Sequence, residues 1–311
     1  MLKSAQIQKT VQKPIFLSTL VFLDLETTGL PSASFKPEIT ELCLLAVSRF
    51  ALEHTDKPIR VQNKLNLCFY PTRTMQSVAA KISGLNTDNL FHQKDFDTTA
   101  VNVLQLFLTR LDPPICLLAH NGIRFDFALL RAQLLSLRGI DFRLLDCHGS
   151  PILCADTLSL FTALNDELMR KPPLNDSGFD CADADVSSDN CTLVNTPLSQ
   201  SSPKKSVSAP RAVSFQLSNV YSRVFGSPHS NAHSAEGDCI ALMDLVQHLG
   251  LSAIDWLQTN YSDFNKIPAM YTLPSTRLTT PTAFPYENIR DESQTVTVTD
   301  EVVKLSKVRI E

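Results

Sequence analysis

From the N-terminus, the first regular pattern is a near-continuous apolar stretch, Leu17–Leu25, of the kind found in a strand covered on both faces. It ends ahead of a turn at Gly29-Leu30-Pro31. Glu41–Phe50 is a second apolar run and predicts a paired strand. Lys64–Phe69 alternates Leu65, Leu67 and Phe69 with polar residues, the period of a half-buried strand. Ile115–Ala119 and Ile152–Ala155 read as short strands. Elsewhere the apolar period lengthens to that of a helix, over Phe96–Leu108, Phe125–Leu137, Thr157–Leu164, Gln216–Phe225 and Gly237–Leu249. Strands alternating with helices predict an α/β fold with a mixed central sheet.

The pattern lapses after Leu164. Residues 165–210 are rich in Ser, Asp, Asn and Pro and poor in aromatics, too polar to offset their own ordering entropy. They predict a disordered insert within one domain, because periodic structure resumes afterwards. Beyond Tyr271 the chain turns Thr/Pro-rich and then charged, which predicts a tail. The hydrophobic share, 43% of 311 residues, is ample for a sizeable core. A net charge of −4 argues mildly against a nucleic-acid binder, but it counts the insert and tail and says little about one cleft. The eight cysteines include no C-x-x-C pair, so they fit neither a zinc ribbon nor a dense disulfide framework. They are expected to be buried, reduced thiols of an intracellular protein, nuclear or cytoplasmic, with Cys181 and Cys191 in the insert. No stretch approaches the roughly 18 apolar residues of a membrane span, so no membrane partner is expected.

Four acidic residues, at three places in the chain, change the picture. Asp24 and Glu26 close the first strand two residues apart and so share a face at the end of a buried element. Adjacent carboxylates repel, burial makes ionisation costlier, and a divalent cation with hard oxygen ligands resolves the conflict. Asp126 heads the apolar stripe Leu129, Leu130, Leu134 and Leu137, and Asp238 heads Ala241, Leu242, Leu245, Val246 and Leu249 at the same spacings. Each could instead be a helix-capping acid. His233, five residues before Asp238, is a candidate proton acceptor. Four carboxylates and one imidazole at the edges of core elements suit two-metal phosphodiester hydrolysis, with His233 deprotonating water.

Three segments resemble, in order, the motifs of the DEDDh exonuclease superfamily: Phe22-Leu-Asp-Leu-Glu-Thr-Thr-Gly-Leu-Pro31, Ala119-His-Asn-Gly-Ile-Arg-Phe-Asp-Phe127 and His233-Ser-Ala-Glu-Gly-Asp238. Thr40–Val47, Ile82–Thr87, Val220–Gly226 and Ile267–Tyr271 look like the flanks of the animal three-prime repair exonucleases. The resemblance implies an RNase H-like mixed central sheet flanked by helices. It implies an N-terminal extension over 1–17, an exonuclease domain over 18–272 and a tail over 273–311. It makes Asp24, Glu26, Asp126 and Asp238 ligands of two Mg²⁺ ions, with Mn²⁺ possible, and His233 the general base. Leu30 and Ile82 would stack on terminal bases, with Asn121, Arg124 and Phe125 beside the 3′ end of DNA, single-stranded by preference. A homodimer through the edge strand Lys64–Phe69 is also implied. An Arg-Lys pair expected before Ser214-Phe215 is Ala212-Val213 here. RNA trimming and non-catalytic binding are the competing readings.

Overall fold

The computed structural model describes residues 13–54, 58–170 and 213–271. Six strands are present among them: β1 (Thr19–Thr27), β2 (Ile39–Ser48), β3 (Asn63–Cys68), β4 (Ile115–Ala119), β5 (Leu153–Asp156) and β6 (Ser262–Asp263). They form one sheet in the order β3-β2-β1-β4-β5-β6. β1 pairs antiparallel with β2 and parallel with β4, β2 and β3 are antiparallel, β4 and β5 are parallel, and β6 is antiparallel to β5. This is the mixed, RNase H-like sheet expected from the sequence. The helices are α1 (Arg49–Glu53), α2 (Ser77–Ser83), α3 (Thr87–Leu90), α4 (Thr98–Thr109) and α5 (Asp126–Arg138), followed by α6 (Thr157–Ala163), α7 (Asn165–Leu168), α8 (Leu217–Phe225), α9 (Ala235–Leu249) and α10 (Leu251–Leu257).

The two-residue period of β1 divides the core. Val21, Leu23 and Leu25 pack with Leu104 and Leu108 of α4 and with Phe127, Leu130 and Leu134 of α5. Leu20 and Phe22 face the other way, onto Leu160 of α6, Val220 of α8, Leu242, Leu245 and Val246 of α9, and Ile254 of α10. Asp24 and Glu26 continue this second face, so they point into the layer that holds α9.

Several boundaries differ from the sequence reading. β1 begins and ends two residues later than the apolar run, and Asp24 and Glu26 pair near its end as expected. The apolar run from Glu41 overruns its strand: Arg49 and Phe50 begin α1, where Phe50 is 66% exposed. The segment read as an insert from 165 opens with α7, whose Leu168 is buried, so regular structure passes that boundary. Its remainder, 171–210, and the tail from 273 lie outside the described residues. Ile15 and Leu17, assigned to the extension, join the fold through an Ile15 amide bond to Gln258 and a buried Leu17 side chain. The thiol expectation fails at Cys147, which is exposed, and at Cys68, which is half-buried. Cys43, Cys116, Cys154 and Cys239 are buried and free, while Cys181 and Cys191 lie outside the described residues. Among the described residues no single helix is long and apolar enough to cross a membrane.

Candidate active site

The end of β1 supplies the first two acids. Asp24 is opposite Cys43 of β2 and Glu26 is opposite Glu41, before a register shift at Glu26/Thr27 loosens the pairing. Asp238 arrives on the first turn of α9. One carboxylate oxygen from each of Asp24, Glu26 and Asp238 lies within 4.8 Å of the others. Asp126 opens α5 and is buried; its carboxylate accepts hydrogen bonds from its own amide and from that of Leu25. It lies outside the 4.8 Å cluster but near enough to Asp24 to destabilise its negative charge.

Electrostatics shows how costly this convergence is. Burial, then repulsion from Asp126, Asp238 and Glu26, pushes the Asp24 carboxyl well above the usual carboxylate range. Burial, with Asp238, Glu41 and Asp126, raises Glu26 to about 8. Burial raises Asp126 to about 7 against the lowering effect of its two backbone amides. Burial raises Asp238 too, opposed by His229, by the His233 amide and by the His233 ring. Such acids hold their charge together only beside compensating positive charge.

The turn before α5 is built for close approach. Asn121 has φ of 60°, a left-handed conformation that Asn tolerates. Gly122 sits where a Cβ would come within 2.8 Å of both Ala119 and Phe127. Asp156 at the end of β5 accepts the amides of Asn121, Ile123 and Leu158 at 2.9, 3.2 and 2.9 Å. His120 spans Thr157 Oγ1 at 3.1 Å and the Phe215 carbonyl at 2.7 Å, and burial lowers its pKa. These contacts fix the position of Asp126. On this turn Asn121 and Phe125 are half-buried and Arg124 is exposed.

Leu30 and Ile82 are 70% and 49% exposed. The Gln76 side chain accepts the Leu30 amide at 3.3 Å and its own amide donates to Thr28 at 2.8 Å, joining the Leu30 turn to α2, which carries Ile82. Gly29, with φ of 150°, lets Gln76 in: a Cβ there would lie 2.2 Å from its Oε1.

His233 is exposed, with φ of 67°, in the turn before Ser234, which caps α9 by accepting the Gly237 amide at 3.1 Å. Two residues of this site were missed from the sequence. Glu41 is buried and accepts the Ala235 amide at 3.1 Å, tying α9 to β2. An acid inside an apolar run was the available signal. His229 is buried with Nε2 3.3 Å from Asp238 Oδ1; its Ser/Pro-rich surroundings gave no hint.

No family model matches the chain. It is 34% identical over 277 residues to bovine three-prime repair exonuclease 1, covering 85% of this chain and 74% of the relative. Against human three prime repair exonuclease 2 it is 34% identical over 265 residues, covering 82% and 94%. The mouse counterpart is 32% identical over 274 residues, covering 85% and 97%. Among solved structures, Escherichia coli exonuclease I bound to single-stranded DNA aligns with a TM-score of 0.48 at 19% identity, over 78% of this chain and 43% of that one. Cell-death related nuclease 4 aligns with a TM-score of 0.46 at 15% identity, over 74% and 63%. Identity of about a third, sustained over most of the length of these relatives, is decisive: the chain belongs to the three-prime repair exonuclease family.

Proposed function

We propose that this protein is a metal-dependent 3′→5′ exodeoxyribonuclease that shortens single-stranded or frayed DNA and releases nucleoside 5′-monophosphates. The observation that carries the reading is the convergence of Asp24, Glu26 and Asp238 within 4.8 Å, with Asp126 beside Asp24. Membership of a family of exonucleases supports the reaction class. The donor set fits a divalent cation. It offers hard, partly buried oxygens whose mutual repulsion favours protons until a cation displaces them.

Asp24, Glu26, Asp126 and Asp238 would hold two Mg²⁺ ions, or Mn²⁺ in their place. Bound there, such ions stabilise the charge that develops in phosphoryl displacement. The remaining work falls to the chain. His233, exposed and tied to Asp238 through its amide, accepts the proton of the attacking water. Leu30 and Ile82 give apolar surface on which any terminal base can stack. Phe125 and Asn121 line the 3′ end, and Arg124 offers its guanidinium to the phosphate. A homodimer belongs to the same reading. Among the described residues β3 is an edge strand paired only with β2, and a second copy would cover its free side.

The test is a 5′-labelled DNA strand and a matched RNA strand with purified protein in Mg²⁺. The expected result is a stepwise DNA ladder that EDTA abolishes and that Asp24→Ala and His233→Ala each suppress. Undiminished cleavage by an Asp24→Ala/Asp238→Ala double variant overturns the assignment. Preferential shortening of the RNA strand overturns the substrate class alone.

A further inference from the structure

His229 lies outside the roles assigned above. Gly226, with φ of 76°, ends α8 and turns the chain so that the His229 ring, 3% exposed, sits in edge contact with Tyr221 at a centroid separation of 5.4 Å. Nε2 shares a hydrogen bond of 3.4 Å with Ser218 Oγ and lies 3.3 Å from Asp238 Oδ1. Nδ1 is buried and meets no hydrogen-bond partner. An imidazole buried with one idle nitrogen is less favourable than an apolar side chain of similar size. Filling space therefore does not account for it, whereas the contact with the Asp238 carboxyl group does.

Two ties on α9 act on its backbone and place the helix: Glu41 takes the Ala235 amide and Ser234 takes the Gly237 amide. The Asp238 carboxylate itself is met by the His233 amide and by the His229 ring.

We propose that His229 is a positioning residue for the metal centre, its Nε2 set against the Asp238 carboxylate so that this group is held facing Asp24 and Glu26. The role rests on the nuclease reading above. Donors behind ligating carboxylates set ligand orientation, and their loss typically lowers metal affinity about 10- to 100-fold. His229 would thus reduce the freedom Asp238 loses when a cation binds.

The experiment compares full-length wild type, His229→Leu and His229→Gln, the last placing an amide donor near the position of Nε2. Mn²⁺ is titrated and the free ion is followed by electron paramagnetic resonance, with Asp238→Asn as the control that removes the ligand. Thermal melts in EDTA report folding. His229→Leu is expected to weaken Mn²⁺ binding about 10- to 100-fold. It should also shift half-maximal cleavage of a labelled strand to a correspondingly higher metal concentration, leaving kcat at saturating metal near wild type. His229→Gln should recover most of the affinity. Unchanged binding by a folded Leu variant overturns the proposal and leaves the nuclease reading intact. Equal losses in Leu and Gln that follow a lowered Tm make the role structural and also overturn it. Failure of wild type itself to bind Mn²⁺ removes the functional reading, and this role with it.

Discussion

Replacing Glu26 with glutamine should stabilise the metal-free protein at alkaline pH while destroying its metal site. Glu26 is raised from 4.5 to about 8 by burial and by Asp238, Glu41 and Asp126. A carboxyl whose folded pKa exceeds its unfolded one contributes stability that is fully present below 4.5 and is lost as pH rises through about 8. At about 1.36 kcal/mol per pH unit, that interval corresponds to about 5 kcal/mol. The four acids titrate together, so some of this is shared with Asp24 and Asp126. Urea unfolding in EDTA, at pH 4.5 and pH 9, measures it. Wild type should lose stability between the two, and Glu26→Gln should lose about 2–5 kcal/mol less. Excess Mg²⁺ should reverse the trend in wild type, because a cation replaces the protons, and should do little for the variant. A Glu26→Gln protein that loses as much stability as wild type over this range would refute the electrostatic picture of the cluster.

Further outcomes follow from other contacts. Asp156→Ala leaves three backbone amides without their acceptor, and should destabilise the fold by about 3 kcal/mol in urea melts and reduce kcat by displacing Asp126. Gln76→Ala should raise KM for single-stranded DNA more than it lowers kcat in steady-state assays, because the clamp joins the Leu30 turn to α2 without touching the acids. Of the six described cysteines, Cys147 should react first with a thiol reagent under native conditions, as mapped by mass spectrometry. Burial holds the Cys116 and Cys239 thiols well above their usual pKa and raises Cys154 to about 12.

What the sequence revealed and what it concealed have the same physical origin. Asp24 and Glu26 could be found because a strand's period is short and regular, and two acids ending an apolar strand break the pattern visibly. Asp126 and Asp238 stood out for the same reason on helices. Asp156 was hidden behind an ordinary local role. It does cap α6 by accepting the Leu158 amide, but two of its three partners come from 33 and 35 residues away. His229 was hidden more completely, since its burial depends on Tyr221 and Asp238, which local polarity does not encode. α10 escaped because Gly250 reads as a helix end, whereas in the fold it is a sharp corner of 103° between two helices. β6 escaped because two residues are too few to show a period.

The thiol of Cys239, next to Asp238, meets the Phe22 carbonyl across 217 residues of sequence. The acids of β1 and α9 meet across a similarly long stretch of chain. A polypeptide leaving the ribosome therefore carries Asp24 and Glu26 for most of its synthesis without Asp238. Closing so long a loop comes late in assembly, after the local helices and hairpins have formed. Any chain that stops short of Asp238 lacks the third acid of the cluster.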